Sequence, residues 1–130
     1  MDKKIFIVED DVTLLSSLQA KFSVEGFNVM SHNGAADLNE IIKLIKISMP
    51  DFVILDLILP KVDGFELLSA IKATEAVNNI PVFVFSNLSD EDSKKKCYRL
   101  GAEQYFVKSD FNLDQFIEKI KRIIVNKIKK

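Results

Sequence analysis

The sequence predicts a doubly wound α/β domain, with helices on both faces of a parallel five-stranded sheet. Two features predict it. Short apolar runs rich in Val, Ile and Phe (Lys4–Val8, Phe52–Leu55, Ile80–Phe85, Gln104–Val107) read as strands buried on both faces, which means parallel pairing. Segments with apolar residues at helical spacing separate them, giving βαβαβαβαβα with short connections and right-handed crossovers. A third feature concerns chemistry. These runs end on Glu9-Asp10-Asp11, on Asp56, on Ser86 and on Lys108. Open parallel sheets bind ligands in the crevice at the carboxyl ends of their strands, so these side chains are expected to share one rim.

The elements follow in order. The first strand spans about 4–8. The first helix, about 11–25, sets Leu14, Leu15, Leu18, Phe22 and Val24 roughly on one face and stops at Gly26 as a left-handed cap. Phe27–Met30 reads as the second strand. The second helix covers about 35–47, with Leu38, Ile41, Ile42 and Ile45 inward and Pro50 beyond its end. Residues 51–55 form the third strand.

Asp63 reads as the N-cap of the third helix, because Glu66 follows at capping-box spacing. Phe65, Leu67, Leu68 and Ile71 continue that helix to about 74. The fourth strand spans 80–85, with Pro81 tolerated at its start. Ser89 or Asp90 caps the fourth helix, which Gly101 ends. The fifth strand is 103–107. The fifth helix runs from about 112 to 128, with Leu113, Phe116, Ile117, Ile120, Ile123 and Ile124 inward.

With 130 residues, 48% of them hydrophobic and 28% charged, the chain suffices for one globular core. Residues 1–130 read as a single domain without linker, repeat or second domain. A net charge of −1 supplies no bulk field for nucleic acid or an anionic membrane. The single Cys97 excludes an internal disulfide and suits a reducing compartment. The apolar run after Met1-Asp2-Lys3-Lys4 is too short for a signal peptide, and no stretch nears the ~20 residues of a membrane span. A cytoplasmic protein is expected.

Glu9, Asp10 and Asp56 would bring three carboxylates within a few ångströms, and like charges at that range raise one another's pKa. A shared proton or a hard divalent cation relieves such a cluster. Lys108 adds one positive charge against three negatives. A few oxygen ligands with open positions suit Mg2+, which keeps waters and often bridges to phosphate oxygens. A carboxylate beside Mg2+ and a lysine is also a plausible phosphoryl acceptor. Ser86 would then donate to the new phosphoryl group.

These residues carry a resemblance. Phe6-Ile7-Val8-Glu9-Asp10-Asp11, Leu55-Asp56-Leu57-Ile58-Leu59-Pro60-Lys61-Val62-Asp63-Gly64-Phe65-Glu66-Leu67, Ser86, and Gly101-Ala102-Glu103-Gln104-Tyr105-Phe106-Val107-Lys108 resemble the receiver domain of bacterial two-component response regulators. The match covers essentially the whole chain in the right order. It implies a flavodoxin-like three-layer sandwich with strand order 2-1-3-4-5. It implies Asp56 as phosphoacceptor, with Mg2+ (or Mn2+) held by Asp10 directly, Glu9 through water, Asp56 and the Ile58 carbonyl. Lys108 and Ser86 would act in the transfer, and Ser86 and Tyr105 as the switch pair, the tyrosine ring swinging inward as the hydroxyl moves.

The implied partners are a sensor histidine kinase or histidine phosphotransfer protein, and a downstream protein on the face of helices four and five. The implied role is signalling: the protein catalyses only its own phosphorylation and dephosphorylation. A receiver-like module that binds partners without phosphorylation is the alternative, and the intact acid, hydroxyl and lysine set argues against it. A phosphatase resembling the haloacid dehalogenases needs a second Asp where Ile58 stands. A flavin module would want a phosphate loop where Glu9-Asp10-Asp11 stands.

The sequence departs from the family at four positions. Ser109 replaces the usual proline after the lysine, and a cis Lys108–Ser109 bond would cost roughly 2.5–4 kcal/mol against trans, so the family's loop geometry is not carried over. Asn87 is larger than the small residue common after the hydroxyl. Ile58 and Leu88 are apolar where polar residues orient the hydrolytic water, so slow self-dephosphorylation is expected. Asp11 reads as a helix-terminal acid, His32 as an ordinary polar residue beyond the second strand, and Cys97 as a packing residue. Lys94-Lys95-Lys96, Lys121, Lys127, Lys129 and Lys130 read as solvated helix faces, with a partner surface as the functional reading.

Overall fold

The computed structural model describes residues 3–128. Five strands, β1 (Lys4–Val8), β2 (Asn28–His32), β3 (Phe52–Leu55), β4 (Val82–Ser86) and β5 (Gln104–Val107), form one parallel sheet in the order β2-β1-β3-β4-β5. The helices are α1 (Val12–Val24), α2 (Leu38–Ser48), α3 (Gly64–Ala73), α4 (Glu91–Arg99) and α5 (Leu113–Ile128). The expected strand order and three-layer architecture are those observed. No helix among the described residues is long and apolar enough to cross a membrane.

Alternation along the strands sorts the core into two layers. Phe6, Val8, Val53, Leu55, Val82 and Val84 face Ile41 and Ile45 of α2, Leu67, Leu68 and Ile71 of α3, and Cys97 of α4. Ile5, Ile7, Phe52, Ile54, Phe83, Phe85 and Phe106 face Leu18 and Phe22 of α1 and Phe116, Ile117, Ile120 and Ile124 of α5. The second layer is aromatic. Phe85 stacks on Phe116 with centroids 3.9 Å apart, and Phe106 meets the same ring edge-on at 5.4 Å. Burying each such side chain contributes roughly 1.5–3 kcal/mol.

Aspartate starts the first four helices. Asp11, Asp37, Asp63 and Asp90 each accept a backbone N–H of the first turn, satisfying donors that have no intrahelical partner. Asp90, not Ser89, therefore caps α4. Asp63 caps α3 alone: among the described residues Glu66 makes no return bond to close the capping box.

Three expectations need correction. The second strand runs over 28–32, not 27–30, pairing with β1 from Lys4↔Asn28 to Val8↔His32. Phe27 belongs instead to the end of α1. Its N–H reaches the Phe22 carbonyl and the Gly26 N–H the Ser23 carbonyl, with Gly26 at φ 92. This pair of bonds is a Schellman cap, sealed by the edge-on contact of Phe22 and Phe27. Consequently His32 ends β2 rather than following it, and its carbonyl accepts the Glu9 N–H at 3.1 Å. Val24 is 86% exposed, because two residues turn the helix about 200° away from buried Phe22.

The lysine faces are mostly engaged at the surface. Lys121 bonds Glu25 and Glu118, Lys127 pairs with Glu103 at 2.9 Å, and Lys96 lies over the Phe65 ring. Lys129 and Lys130 lie outside the described residues.

The register positions the rim. Val8 pairs with Leu55 and Ser86 with Val107, so Glu9 and Asp56 leave neighbouring strands side by side and Lys108 follows the partner of Ser86. The loop after β3 then folds back. Ile58 bridges Asp63, and the Gly64 N–H donates to the Leu57 carbonyl at 3.1 Å. Gly64 makes this turn possible, since a Cβ there would lie 2.3 Å from the Leu57 Cα and 2.8 Å from the Asp56 carbonyl oxygen. Gly64→Ala is expected to destabilise the fold by about 1–3 kcal/mol. Urea unfolding checks it, and an unchanged midpoint would contradict this account of the loop.

Candidate functional site

Among the described residues, three polar or charged residues are buried: Glu9 at 2% exposure, Asp56 at 5% and Ser86 at 0%. All three stand at the carboxyl ends of central strands. Buried charge is costly unless paired and hydrogen-bonded, and this site supplies both. The Lys108 ammonium lies 2.9 Å from Glu9 Oε1 and 2.8 Å from Asp56 Oδ2. The second oxygens accept backbone donors: Glu9 Oε2 from the Asp11 N–H at 3.1 Å, and Asp56 Oδ1 from the Ile58 N–H at 3.2 Å.

One ammonium serves two carboxylates. Burial raises the Glu9 pKa above its ordinary value, against the lowering effects of Lys108 and the Asp11 N–H. Burial alone would lower Lys108, but its hydrogen bonds to Asp56 and Glu9 outweigh that and hold it protonated.

Asp10 completes the acidic group from an exposed position. Glu9, Asp10 and Asp56 each offer a carboxylate oxygen, and those atoms lie within 4.8 Å of one another. Hard oxygen donors with an excess of negative charge over Lys108 fit a divalent cation such as Mg2+ or Mn2+. A cleft of about 230 Å³ opens over the group, lined by Glu9, Asp10, Asp11, Asp56, Ile58, Asn87 and Lys108.

The remaining expected residues, Ser86 and Tyr105, do not line this cleft. Ser86 is fully buried at the end of β4, its Oγ accepting the Leu88 N–H at 3.4 Å. Tyr105 is half-buried against the layer containing α3 and α4, and its hydroxyl donates to the Leu88 carbonyl at 2.7 Å. Burial pushes that phenol up to about 12, so it acts as a donor. Lys108 opens a short 3-10 turn, Lys108–Asp110, and all described peptide bonds are trans, including Lys108–Ser109.

Sequence reasoning put Glu9, Asp10, Asp56 and Lys108 at one rim, where the structure places them. It passed over Gly64, whose signal was a glycine directly after an N-cap where no left-handed turn calls for one. It also paired Leu88 with Ile58 as the residues facing the hydrolytic water. Here Ile58 lines the cleft, 54% exposed, while Asn87 lines it in place of Leu88.

The sequence matches the response regulator receiver domain over residues 5–121. The chain belongs to that family. The transcriptional regulatory protein PrrA of Mycobacterium tuberculosis is 30% identical over 121 residues, covering 93% of this chain and 49% of PrrA. This chain spans about half the length of the curated relatives it matches. Among solved structures, the non-phosphorylated HemR receiver domain from Leptospira biflexa is 27% identical with a TM-score of 0.81, covering 94% of each chain. The Mn2+-bound form of response regulator Rcp1 is 25% identical with a TM-score of 0.74, covering 93% of this chain and 91% of Rcp1. The receiver identity agrees with the expected family and strand order.

The raised pKa of Glu9 has a thermodynamic sign. A carboxyl that holds its proton more tightly when folded adds stability below its ordinary value of 4.5, and that addition is lost as pH rises through the folded value. Glu9→Gln keeps the neutral form at every pH. Its melting temperature relative to wild type is therefore expected to rise from pH 4.5 to neutrality; a constant difference across buffered melts would contradict the assignment.

Proposed function

We propose that this receiver accepts a phosphoryl group on Asp56 in a two-component or phosphorelay system. The carrying observation is the meeting of Glu9, Asp10 and Asp56 within 4.8 Å, with Lys108 bridging two of them. The receiver unit is taken as 1–130, and its donor as a phosphohistidine on a sensor histidine kinase or histidine phosphotransfer protein.

One Asp56 oxygen attacks phosphorus. The O–P bond forms as the donor's N–P bond breaks, and the electron pair leaves on the imidazole. Lys108, already 2.8 Å from Asp56, neutralises charge on the transferring group. Glu9, Asp10, Asp56 and the Ile58 carbonyl would hold Mg2+ or Mn2+, which when bound supplies charge neutralisation at the phosphoryl oxygens. The Mn2+-bound form of Rcp1 supports this metal assignment.

Ser86 donates to the bound phosphoryl group, drawing the start of the loop between β4 and α4 toward Asp56. Tyr105 follows, because its hydroxyl is bonded to that loop at Leu88. Phosphorylation adds ~1.5–2 negative charges, and the response is a population shift between two packings. Its readout is the face made by α4, β5 and α5, where a downstream protein docks. This receiver unit acts through protein partners rather than by direct contact with nucleic acid or membrane.

Two measurements test the reading. Intact-mass spectrometry after acetyl phosphate and Mg2+ is expected to show one added phosphate on wild type and none on Asp56→Asn; an unmodified wild type would sink the mechanism. The phosphorylated form is expected to decay slowly, because Ile58, which lines the cleft two residues after Asp56, offers no polar side chain to align water. A half-life of seconds in Mg2+ buffer would contradict that expectation.

A further inference from the structure

Tyr105 is fastened at two points, and both fastenings lie on the segment that follows Ser86. Its hydroxyl donates to the Leu88 carbonyl at 2.7 Å, and its backbone N–H donates to the hydroxyl of Tyr98 at 3.1 Å. The second contact has a structural reason. β5 is an edge of the sheet, so N–H groups facing away from β4 have no strand to pair with. Tyr98, on α4, supplies the acceptor. It neighbours Cys97, the fully buried anchor of that helix, so the position of its hydroxyl is tied to the position of α4.

The geometry points to Tyr98 as a positioning residue that couples α4 to Tyr105 and favours the inward tyrosine ring. This rests on the proposed receiver mechanism and goes beyond the switch pair of Ser86 and Tyr105. The Tyr98 hydroxyl touches neither Asp56 nor any group that would hold the metal. It acts through the main chain of Tyr105, whose ring tip is bonded to the loop that Ser86 would pull. Without that hydroxyl the edge N–H turns to water, so the fold loses little. A bond made in only one of two arrangements nevertheless biases their equilibrium, and a ligand selective for that arrangement then binds more weakly when the bond is removed.

The chain holds two tyrosines, Tyr98 and Tyr105, and no tryptophan. Labelling with 3-fluorotyrosine therefore gives one fluorine resonance for each ring in question. Beryllofluoride with Mg2+, a mimic of the phosphoryl group, is titrated into wild type, Tyr98→Phe, Tyr105→Ala and the double variant. The fluorine resonances and the backbone amides of Asp56 and Ile58 are followed.

In wild type both fluorine resonances are expected to shift with the same midpoint as the amides. Tyr98→Phe is expected to weaken apparent affinity about two- to tenfold, the scale of one hydrogen bond, and to move the Tyr105 resonance. In the Tyr105→Ala background it should have no further effect. Unchanged or tighter binding in Tyr98→Phe would overturn the inference, as would an equal loss in both backgrounds. Amides beside Asp56 that stay still in wild type would instead remove the receiver mechanism, and this inference with it.

Discussion

One ammonium between two buried carboxylates holds the rim together. Lys108 leaves an edge strand, and Glu9 and Asp56 leave central ones, yet their atoms meet at 2.8–2.9 Å. Neither acid could stay buried without that pairing, because an unpartnered charge in this position would be strongly destabilising. The pairing in turn requires the strand register, since a slip of one residue would send these side chains to other places. The two-layer core, the returning loop at Gly64 and the cap at Gly26 all serve that register. What looks like an active-site detail is therefore also a constraint on the whole sheet.

The same contact is a standing tension. Lys108 compensates two carboxylates with one charge, and among the described residues Asp10 has no such partner. The site is thus stable enough to fold yet unbalanced enough to welcome further positive charge. Natural sites of this kind commonly accept lower stability for a poised geometry. Burial raises the Glu9 pKa first of all, and the neighbouring Asp56 charge adds to it.

Much of this was legible in the residue order. Buried parallel strands leave a period-free apolar run, and such runs ending on acids, a hydroxyl and an amine announce their common edge. The boundaries of the second strand were not legible, because Phe27 is equally apolar whether it opens a strand or seals a helix end. Only the bond from its N–H to Phe22 decides. Val24 misled for a related reason: a valine in the last turn of a helix looks inward until the helix's rotation is fixed by Leu18 and Phe22. Gly64 and Tyr98 were invisible as positioning residues. One acts by lacking a Cβ against Leu57, the other through a bond to a main-chain group whose loneliness depends on which strand is the edge.

The four aspartate caps have a further consequence. In a parallel α/β fold the helices begin where the strands end, so Asp11, Asp37, Asp63 and Asp90 gather at the same end as Glu9, Asp10 and Asp56. The opposite end collects the basic residues of the last helical turns: Lys21, Lys46, Lys72, Lys96, Arg99 and Lys127. Glu25 and Glu103 sit among those bases and pair with Lys121 and Lys127, so that end is mixed in charge while the other is crowded with acids. Small cations are steered toward the acidic pole and anionic donors meet resistance there, both effects fading as ionic strength shortens the screening length. A net charge of −1 thus hides a local crowd of carboxylates that approaching ions would meet at one end.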